Sequence, residues 1–100
     1  MARYRLTRAA REDLAEIGRY TERRWGVAQR RAYLAQLDAR MELLVDHPQM
    51  GMARDDVRRG YRCLREARHL IFYRAAAGTV EIVRVLHQRM DVRRHLSSVP

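Results

Sequence analysis

Hydrophobic side chains in the first quarter of the chain recur at the spacing of one helical face. Between positions 8 and 25 they lie three or four residues apart, which predicts an amphipathic helix with a single buried stripe. The members of that stripe are Ala10, Leu14, Ile17, Thr21 and Trp25. Thr7 is placed to cap the start of the helix, and Gly26 is placed to end it in a left-handed conformation. We expect Trp25 to anchor the end of the helix in the core.

A second hydrophobic stripe follows so closely that the two helices are expected to form an antiparallel hairpin. The second helix is predicted over about residues 27–45. Its buried positions are Leu34, Leu37, Met41 and Leu44, with Tyr33 beside them. Pro48 ends it, because proline cannot continue the helical hydrogen bonds and disfavours a helical residue before it. Residues 49–60, rich in glycine and charge, are predicted to form the one long loop.

The last third of the chain has the pattern of three short strands, predicted at residues 61–66, 69–74 and 80–87. A further strand is expected at residues 3–7. A turn near Gly78 would set Arg74 opposite Glu81, which is a favourable cross-strand pair. The sequence therefore predicts a two-layer α+β fold, built from an N-terminal strand, an antiparallel helical hairpin and a three-stranded antiparallel meander.

The strand at residues 80–87 is apolar on both faces, which is typical of a central strand. Strict alternation places Leu70, Phe72, Val83 and Val85 on one face, and Ile71, Tyr73, Ile82 and Leu86 on the other. The hairpin covers only one face, so we expect the other face to remain exposed as a docking surface.

Composition adds a strong positive charge to this picture. The 100 residues fit a single domain spanning positions 1–100. They carry a net charge of +9, and the sequence contains arginine but no lysine. Such a charge implies an acidic partner. No apolar stretch approaches the roughly 20 residues that span a bilayer, and the first residues lack the apolar region of a signal peptide. With Cys63 as the single cysteine, these features favour the cytoplasm.

Several ordered segments resemble the ParE-type toxins of the ParE/RelE superfamily. The N-terminal matches are Leu6-Thr7, Asp13-Leu14-Ala15-Glu16-Ile17, Tyr20-Thr21, Trp25-Gly26 and His47-Pro48-Gln49-Met50-Gly51. The C-terminal matches are Gly60-Tyr61-Arg62, His69-Leu70-Ile71-Phe72-Tyr73-Arg74 and Val85-Leu86-His87-Gln88-Arg89-Met90-Asp91. The resemblance implies the toxin of a type II toxin–antitoxin pair, also described as plasmid-stabilisation systems, that inhibits DNA gyrase. It would be neutralised in a hetero-oligomer by a ParD-like antitoxin with an acidic C-terminal segment.

Two binding surfaces are predicted within this reading, with no catalytic residue, no cofactor and no bound metal. The antitoxin-binding residues are expected to be Leu34, Leu37, Met41, Arg62, Tyr73 and Arg84. The target-binding residues are expected to be His87, Arg89, Met90, Arg93 and Arg94, where an arginine-rich segment with apolar anchors leaves the last strand. Asp91 is placed to cap a final helical turn there. We expect neither membrane insertion nor direct nucleic-acid binding.

Two alternatives remain open. The RelE branch of the superfamily cleaves mRNA on the ribosome, and a comparable role could recruit Arg62, Arg65, Glu66, Tyr73, Arg84 and His87. The simpler interpretation is that Arg62, Arg84 and His87 pair or cap at strand positions. A basic nucleic-acid-binding module is the other alternative, since the arginines at 23, 24, 30 and 31 form a basic hairpin tip that could meet phosphates.

Overall fold

The computed structural model describes residues 3–96. Along the chain the elements are β1 (Arg5–Leu6), α1 (Arg8–Trp25), α2 (Val27–Asp46), β2 (Met52–Ala53), β3 (Arg62–Glu66), β4 (His69–Ala76), β5 (Thr79–His87) and α3 (Val92–Leu96). The strands form one sheet in the order β1-β5-β4-β3-β2. Only β1 and β5 pair in parallel. The predicted α+β class, the helical hairpin and the antiparallel meander are confirmed.

The sheet has one strand more than the sequence predicted. β2 lies inside the predicted loop and pairs Met52 with Cys63 and Ala53 with Arg62, so β3 becomes an internal strand. β1 is shorter than the predicted residues 3–7, because Thr7 already serves as the N-cap of α1. The central position predicted for β5 is confirmed, since it lies between β1 and β4.

Local chemistry fixes both ends of α1. Thr7 Oγ1 accepts a hydrogen bond from Ala10 N at 3.0 Å and donates to Val83 O at 2.7 Å, which ties the start of the helix to β5. Gly26 has φ +92° and ψ 175°, so the predicted positive φ is confirmed, but the residue does not adopt the predicted left-handed helical conformation. None of the helices between residues 3 and 96 combines the length and hydrophobicity needed to cross a lipid bilayer.

The main core lies between the helical hairpin and one face of the sheet. The hairpin contributes Ala10, Ile17, Leu37, Met41 and Leu44, and the sheet contributes Leu64, Ile71, Tyr73, Val80, Ile82 and Val85. The predicted register of β4 and β5 is confirmed, because Arg74 faces Glu81 and their side chains form an ion pair at 2.6 Å. That pair lies next to the turn, where the register is still regular.

A β-bulge in β5 changes which side chains share a face. Phe72 pairs with Arg84 while Tyr73 pairs with Ile82, so Val83 is an extra residue in the strand. One extra residue shifts the alternation that follows it. Val85 therefore packs with the helices and Leu86 packs on the opposite face, so each is separated from the side chains with which strict alternation grouped it. Tyr73 and Ile82 also face the helices.

The second face of the sheet is covered rather than exposed. Tyr61, Phe72, Val83, Leu86 and Leu96 form a second core in which each side chain is at most 2% exposed. Val57 from the β2–β3 connection and Val92 from α3 pack against it. The expectation of an exposed apolar docking face is wrong, because the C-terminal helix and the predicted loop fold over it.

Candidate binding surfaces

A groove runs along the outside of the helical hairpin between α1 and α2. Its apolar floor is formed by Leu14, Ala15, Gly18 and Leu34, and its rim by Arg19, Arg30 and Arg31. Gly18 keeps the helices close, because a Cβ at that position would lie 3.3 Å from Leu34 Cδ1. The groove therefore offers an apolar strip bordered by positive charge.

The apolar residues expected to bind an antitoxin do not share one surface. Leu34 is half-buried and lines the groove. Leu37, Met41 and Tyr73 are each at most 2% exposed, so their side chains fill the core. Their assignment as antitoxin contacts is wrong, because a partner could reach them only if the hairpin separated from the sheet.

Tyr73 and Arg62 instead hold the segment that follows α2. Tyr73 Oη donates to Pro48 O at 2.7 Å and accepts from Gly51 N at 2.9 Å. Arg62 donates from Nε to Gly51 O at 3.0 Å and from Nη2 to Gln49 O at 3.2 Å. A Cβ on Gly51 would lie 2.6 Å from Tyr73 Oη, so this close approach requires glycine. Arg62 is thus engaged by the chain's own backbone rather than offered to a partner.

Arg84 joins three elements through one guanidinium group. Its Nε and Nη2 donate to the carboxylate of Asp13 on α1 at 2.7 and 2.8 Å, and its Nη1 donates to His95 O on α3 at 3.0 Å. Asp13 also accepts from Val85 N at 2.9 Å. The hydrogen bonds to Asp13 raise the pKa of Arg84. The side chains of Arg84 and Asp13 are only 15% and 13% exposed, so the assignment of Arg84 to antitoxin binding is corrected to an internal clamp.

The predicted target-binding residues lie on the turn after β5 and on α3. Arg89 and Met90 are exposed in the turn, and Arg93 and Arg94 are exposed on the helix. Asp91 caps this helix as predicted, since its carboxylate accepts from Arg94 N at 3.3 Å. Leu96 anchors the segment in the second core. His87 is half-buried, and its Nδ1 accepts from Arg89 N at 3.1 Å.

The residues that a ribonuclease could have recruited do not converge on one site. Glu66 pairs with Arg40 at 2.8 Å, and Arg65 donates to Ala67 O at 3.1 Å. Tyr73 is buried, and the guanidinium groups of Arg62 and Arg84 are bound as described above. Within residues 3–96 no group of three or more His, Cys, Asp or Glu side chains is arranged to hold a metal ion.

A cluster of polar rings that the sequence did not predict lies at the end of the sheet. Tyr33 Oη lies 2.6 Å from His69 Nδ1, and the rings of His69 and His87 are in edge contact with centroids 5.5 Å apart. Burial, with a smaller contribution from the charge of His87, lowers the pKa of His69 to about 4. Burial also raises the pKa of Tyr33. A protonated phenol and a neutral imidazole therefore share this hydrogen bond at the end of the sheet.

The hairpin tip also differs from what the sequence predicted. Trp25 is 59% exposed and Tyr20 is 51% exposed, so Trp25 does not anchor the helix in the core. The two rings make an edge contact with centroids 6.2 Å apart, and the Arg24 guanidinium lies 5.7 Å from the centre of the Trp25 ring. The exposure of Trp25 could have been inferred from its position as the last residue of α1, because the end of a helix can project beyond the sheet that the helix covers.

Comparisons with known proteins agree with the observed fold. The profile of the ParE toxin family, described as the ParE toxin of the type II toxin–antitoxin system parDE, matches residues 4–92. Toxin ParE1 of Caulobacter vibrioides is 46% identical over 96 residues, covering 96% of this chain and 99% of that protein. Toxin ParE1 of Mycobacterium tuberculosis is also 46% identical over 96 residues, covering 95% of this chain and 98% of that protein.

More distant relatives extend the same similarity. Toxin ParE of Escherichia coli is 35% identical over 98 residues, covering 97% of this chain and 95% of that protein. A chain from the chromosomal ParDE toxin–antitoxin system of P. aeruginosa superposes with a TM-score of 0.72 at 19% identity. That superposition covers 87% of this chain and 96% of the other, and it supports the fold alone.

Proposed function

This chain belongs to the ParE toxin family of type II toxin–antitoxin systems, and from that premise we propose that it inhibits DNA gyrase and is neutralised by a ParD-like antitoxin. The observation that carries the antitoxin part is the apolar groove of the hairpin with its arginine rim. The proposed partner has an acidic C-terminal segment that folds along this groove within a hetero-oligomer. Since gyrase acts on chromosomal DNA, the proposed place of action is the bacterial cytoplasm.

Charge and shape of the groove both favour such a partner. Leu14 and Leu34 are half-buried, so an incoming apolar side chain can complete their burial. Arg31 forms no ion pair within residues 3–96 and is available to a carboxylate. Complementary charge accelerates encounter between a positive toxin and an acidic segment, and it disfavours basic partners. Of the six residues predicted for this role, Leu34 is the one that the proposal retains.

The proposed target surface is the C-terminal segment with His87, Arg89, Met90, Arg93 and Arg94. Met90 is 45% exposed between arginines, a composition that resembles protein-binding hot spots. Anchoring by Leu96 and the Asp91 cap holds this segment in one conformation, which lowers the entropic cost of binding. Truncation from Arg93 would also remove Leu96, so charge reversal tests this surface more cleanly.

Induction of the chain alone in bacteria tests the target. We expect filamentous cells and a DNA-damage response while protein synthesis continues at first. The purified chain should also inhibit supercoiling of relaxed plasmid by gyrase. Immediate arrest of translation with cleaved mRNA, and unaffected gyrase, would contradict the proposal and favour the ribonuclease alternative.

Reversal of charge in the C-terminal segment tests the surface. The double variant Arg89→Glu with Arg93→Glu should lose gyrase inhibition while it unfolds at nearly the native temperature. A matched control is Arg5→Glu with Arg11→Glu, which changes the net charge equally at exposed positions of β1 and α1. Full inhibition by the first variant would place the target-binding surface elsewhere on the molecule.

A further inference from the structure

The sole tryptophan of the chain lies in solvent at the tip of the helical hairpin. Trp25 is 59% exposed, and its nearest aromatic neighbour, Tyr20, is 51% exposed. Val27 on the other side of the turn is 44% exposed. Large aromatic surfaces are usually buried in the core or against a partner, so an exposed pair of rings indicates a contact made with another molecule.

The charges around these rings are predominantly positive. Arginines occupy positions 23, 24, 30 and 31, while Glu22 is the acidic residue of the tip and pairs with Arg30 at 2.5 Å. Arg23 reaches Glu16 only at 3.5 Å. Arg24 and Arg31 form no ion pair within the part of the chain that the structure describes, and Arg24 stacks over Trp25. The tip therefore presents aromatic rings together with uncompensated guanidinium groups.

The shape of the tip argues against a helical peptide as its ligand. An amphipathic helix docks by inserting a row of side chains into a groove. The groove between the helices is lined by other residues, and neither Tyr20 nor Trp25 contributes to it. A protruding tip with flat rings suits a flexible chain of planar groups that can wrap around it and stack.

We propose that the hairpin tip is a binding site for single-stranded nucleic acid, in which bases stack on Trp25 and Tyr20 and phosphates bind Arg24 and Arg31. Base stacking on aromatic side chains combined with arginine–phosphate contacts is the general mode of sequence-tolerant single-strand binding. Guanidinium groups suit this role because they bind phosphate oxygens in a bidentate manner and also stack. The site departs from the expectation of no direct nucleic-acid binding. It shares Arg31 with the proposed antitoxin groove and shares no residue with the proposed gyrase-binding surface.

Fluorescence of Trp25 tests the site directly, because the chain has no other tryptophan. The full chain is titrated with oligothymidylate and with oligouridylate of about 12 nucleotides, which matches the site size of single-strand binders. Quenching that saturates with either oligonucleotide, and an affinity that falls as salt rises, is the expected result. Polyglutamate of equal charge is titrated in the same way, as a polyanion without bases. Equal or stronger quenching by polyglutamate, or no quenching by either oligonucleotide, would overturn the proposal.

Variants locate the binding by anisotropy of a labelled oligothymidylate. Trp25→Ala and Tyr20→Ala should each weaken binding about 5- to 150-fold, the range for loss of one stacked base. Arg24→Ala and Arg31→Ala should each reduce the slope of log affinity against log salt by about 0.7. The control Arg68→Ala removes an exposed arginine of the β3–β4 turn and should leave the affinity within about twofold. Native affinity in both aromatic variants, with unchanged circular dichroism, would show that any binding occurs elsewhere.

Discussion

Arginine plays opposite roles at the two ends of this molecule. At the sheet, the side chain of Arg84 is 15% exposed, and each of its three guanidinium nitrogens donates a hydrogen bond to Asp13 or to His95 O. Arg62 donates to the carbonyls of Gln49 and Gly51. At the hairpin tip, Arg24 and Arg31 are exposed and form no ion pair within residues 3–96. Residue type alone therefore does not identify a binding arginine. The groups already within reach of the guanidinium decide whether it stabilises the fold or remains available to a partner.

Hydrophobic residues at the same two ends show the same contrast. Leu96 lies near the end of the chain, yet it is 2% exposed because the second face of the sheet receives it. Trp25 is far from either terminus in the sequence and has a larger side chain, yet it is 59% exposed because α1 ends at the hairpin tip. The buried side chain of Leu96 thus stabilises the fold, whereas the exposed side chain of Trp25 is accessible to a partner.

Leu96→Ala should produce the largest loss of stability, because it leaves a cavity against Phe72, Val83 and Leu86. We expect a decrease of about 3 kcal/mol in the free energy of unfolding, or about 10–20 °C in Tm. The matched variant Trp25→Ala should change the free energy by less than about 0.5 kcal/mol, as exposed substitutions do. Urea denaturation measures both. Equal losses would contradict the assignment of the two ends.

Arg84→Met should have the next largest effect, because it leaves the carboxylate of Asp13 without its partner. Loss of one partner from a fully buried pair costs about 3–5 kcal/mol, and the slight exposure of this pair reduces the expected loss to about 2 kcal/mol. The double variant with Asp13→Asn should recover part of it. Glu12→Gln, which breaks the exposed pair with Arg8, is the control and should cost less than about 0.5 kcal/mol. A loss as small as that control would show that Arg84 is not a clamp.

Acidification should weaken the end of the sheet at His69. The pKa of His69 falls from 6.5 to about 4 on folding through burial and the neighbouring His87, with Asp13 opposing the shift and Tyr33 bonded to the ring. Between these values the unfolded chain binds more protons, so stability falls as the pH decreases from about 6.5 to 4. Solvent screening at a half-buried ring limits the loss to about 1 kcal/mol.

Variants at two histidines separate this effect from general acid denaturation. His69→Gln should remove the decrease in unfolding free energy between pH 6.5 and pH 4.5 that the Tyr33–His69–His87 cluster causes. His47→Gln, at an exposed position after α2, should leave that decrease unchanged. If the native chain and His69→Gln lose the same free energy over this pH interval, His69 does not remain neutral in the fold.

Local chemistry made several structural features predictable from the sequence. The caps at Thr7 and Asp91 follow from side chains that accept backbone hydrogen bonds, and the pairing of Arg74 with Glu81 follows from one turn. The bulge at Val83 was not predictable, because this strand is apolar on both faces. An extra residue there does not change the pattern of polar and apolar positions. Because Val83 is an extra residue, Val85 and Leu86 lie on the faces opposite to those that strict alternation from Ile82 predicts.

The binding residues were harder to predict than the fold. Leu37 and Met41 lie on the same predicted stripe as Leu34, and a stripe does not show where the sheet stops covering it. Burial separates them, since Leu34 lines the groove while Leu37 and Met41 fill the core. Gly18 gave no sequence signal at all, because its contribution is the close approach of α2.

Calorimetry with one charge reversal tests the central claim most directly, namely that the arginine-rimmed groove binds the antitoxin while the clamped arginines hold the fold. Arg31→Glu should weaken binding of the acidic antitoxin segment by at least about tenfold, because it places like charges together, and should change the free energy of unfolding by less than about 0.5 kcal/mol. Arg68→Glu, equal in charge but outside the groove, should reduce affinity by less than about threefold, since a distant surface charge is screened. Native affinity in Arg31→Glu, or equal weakening in both variants, would contradict the account.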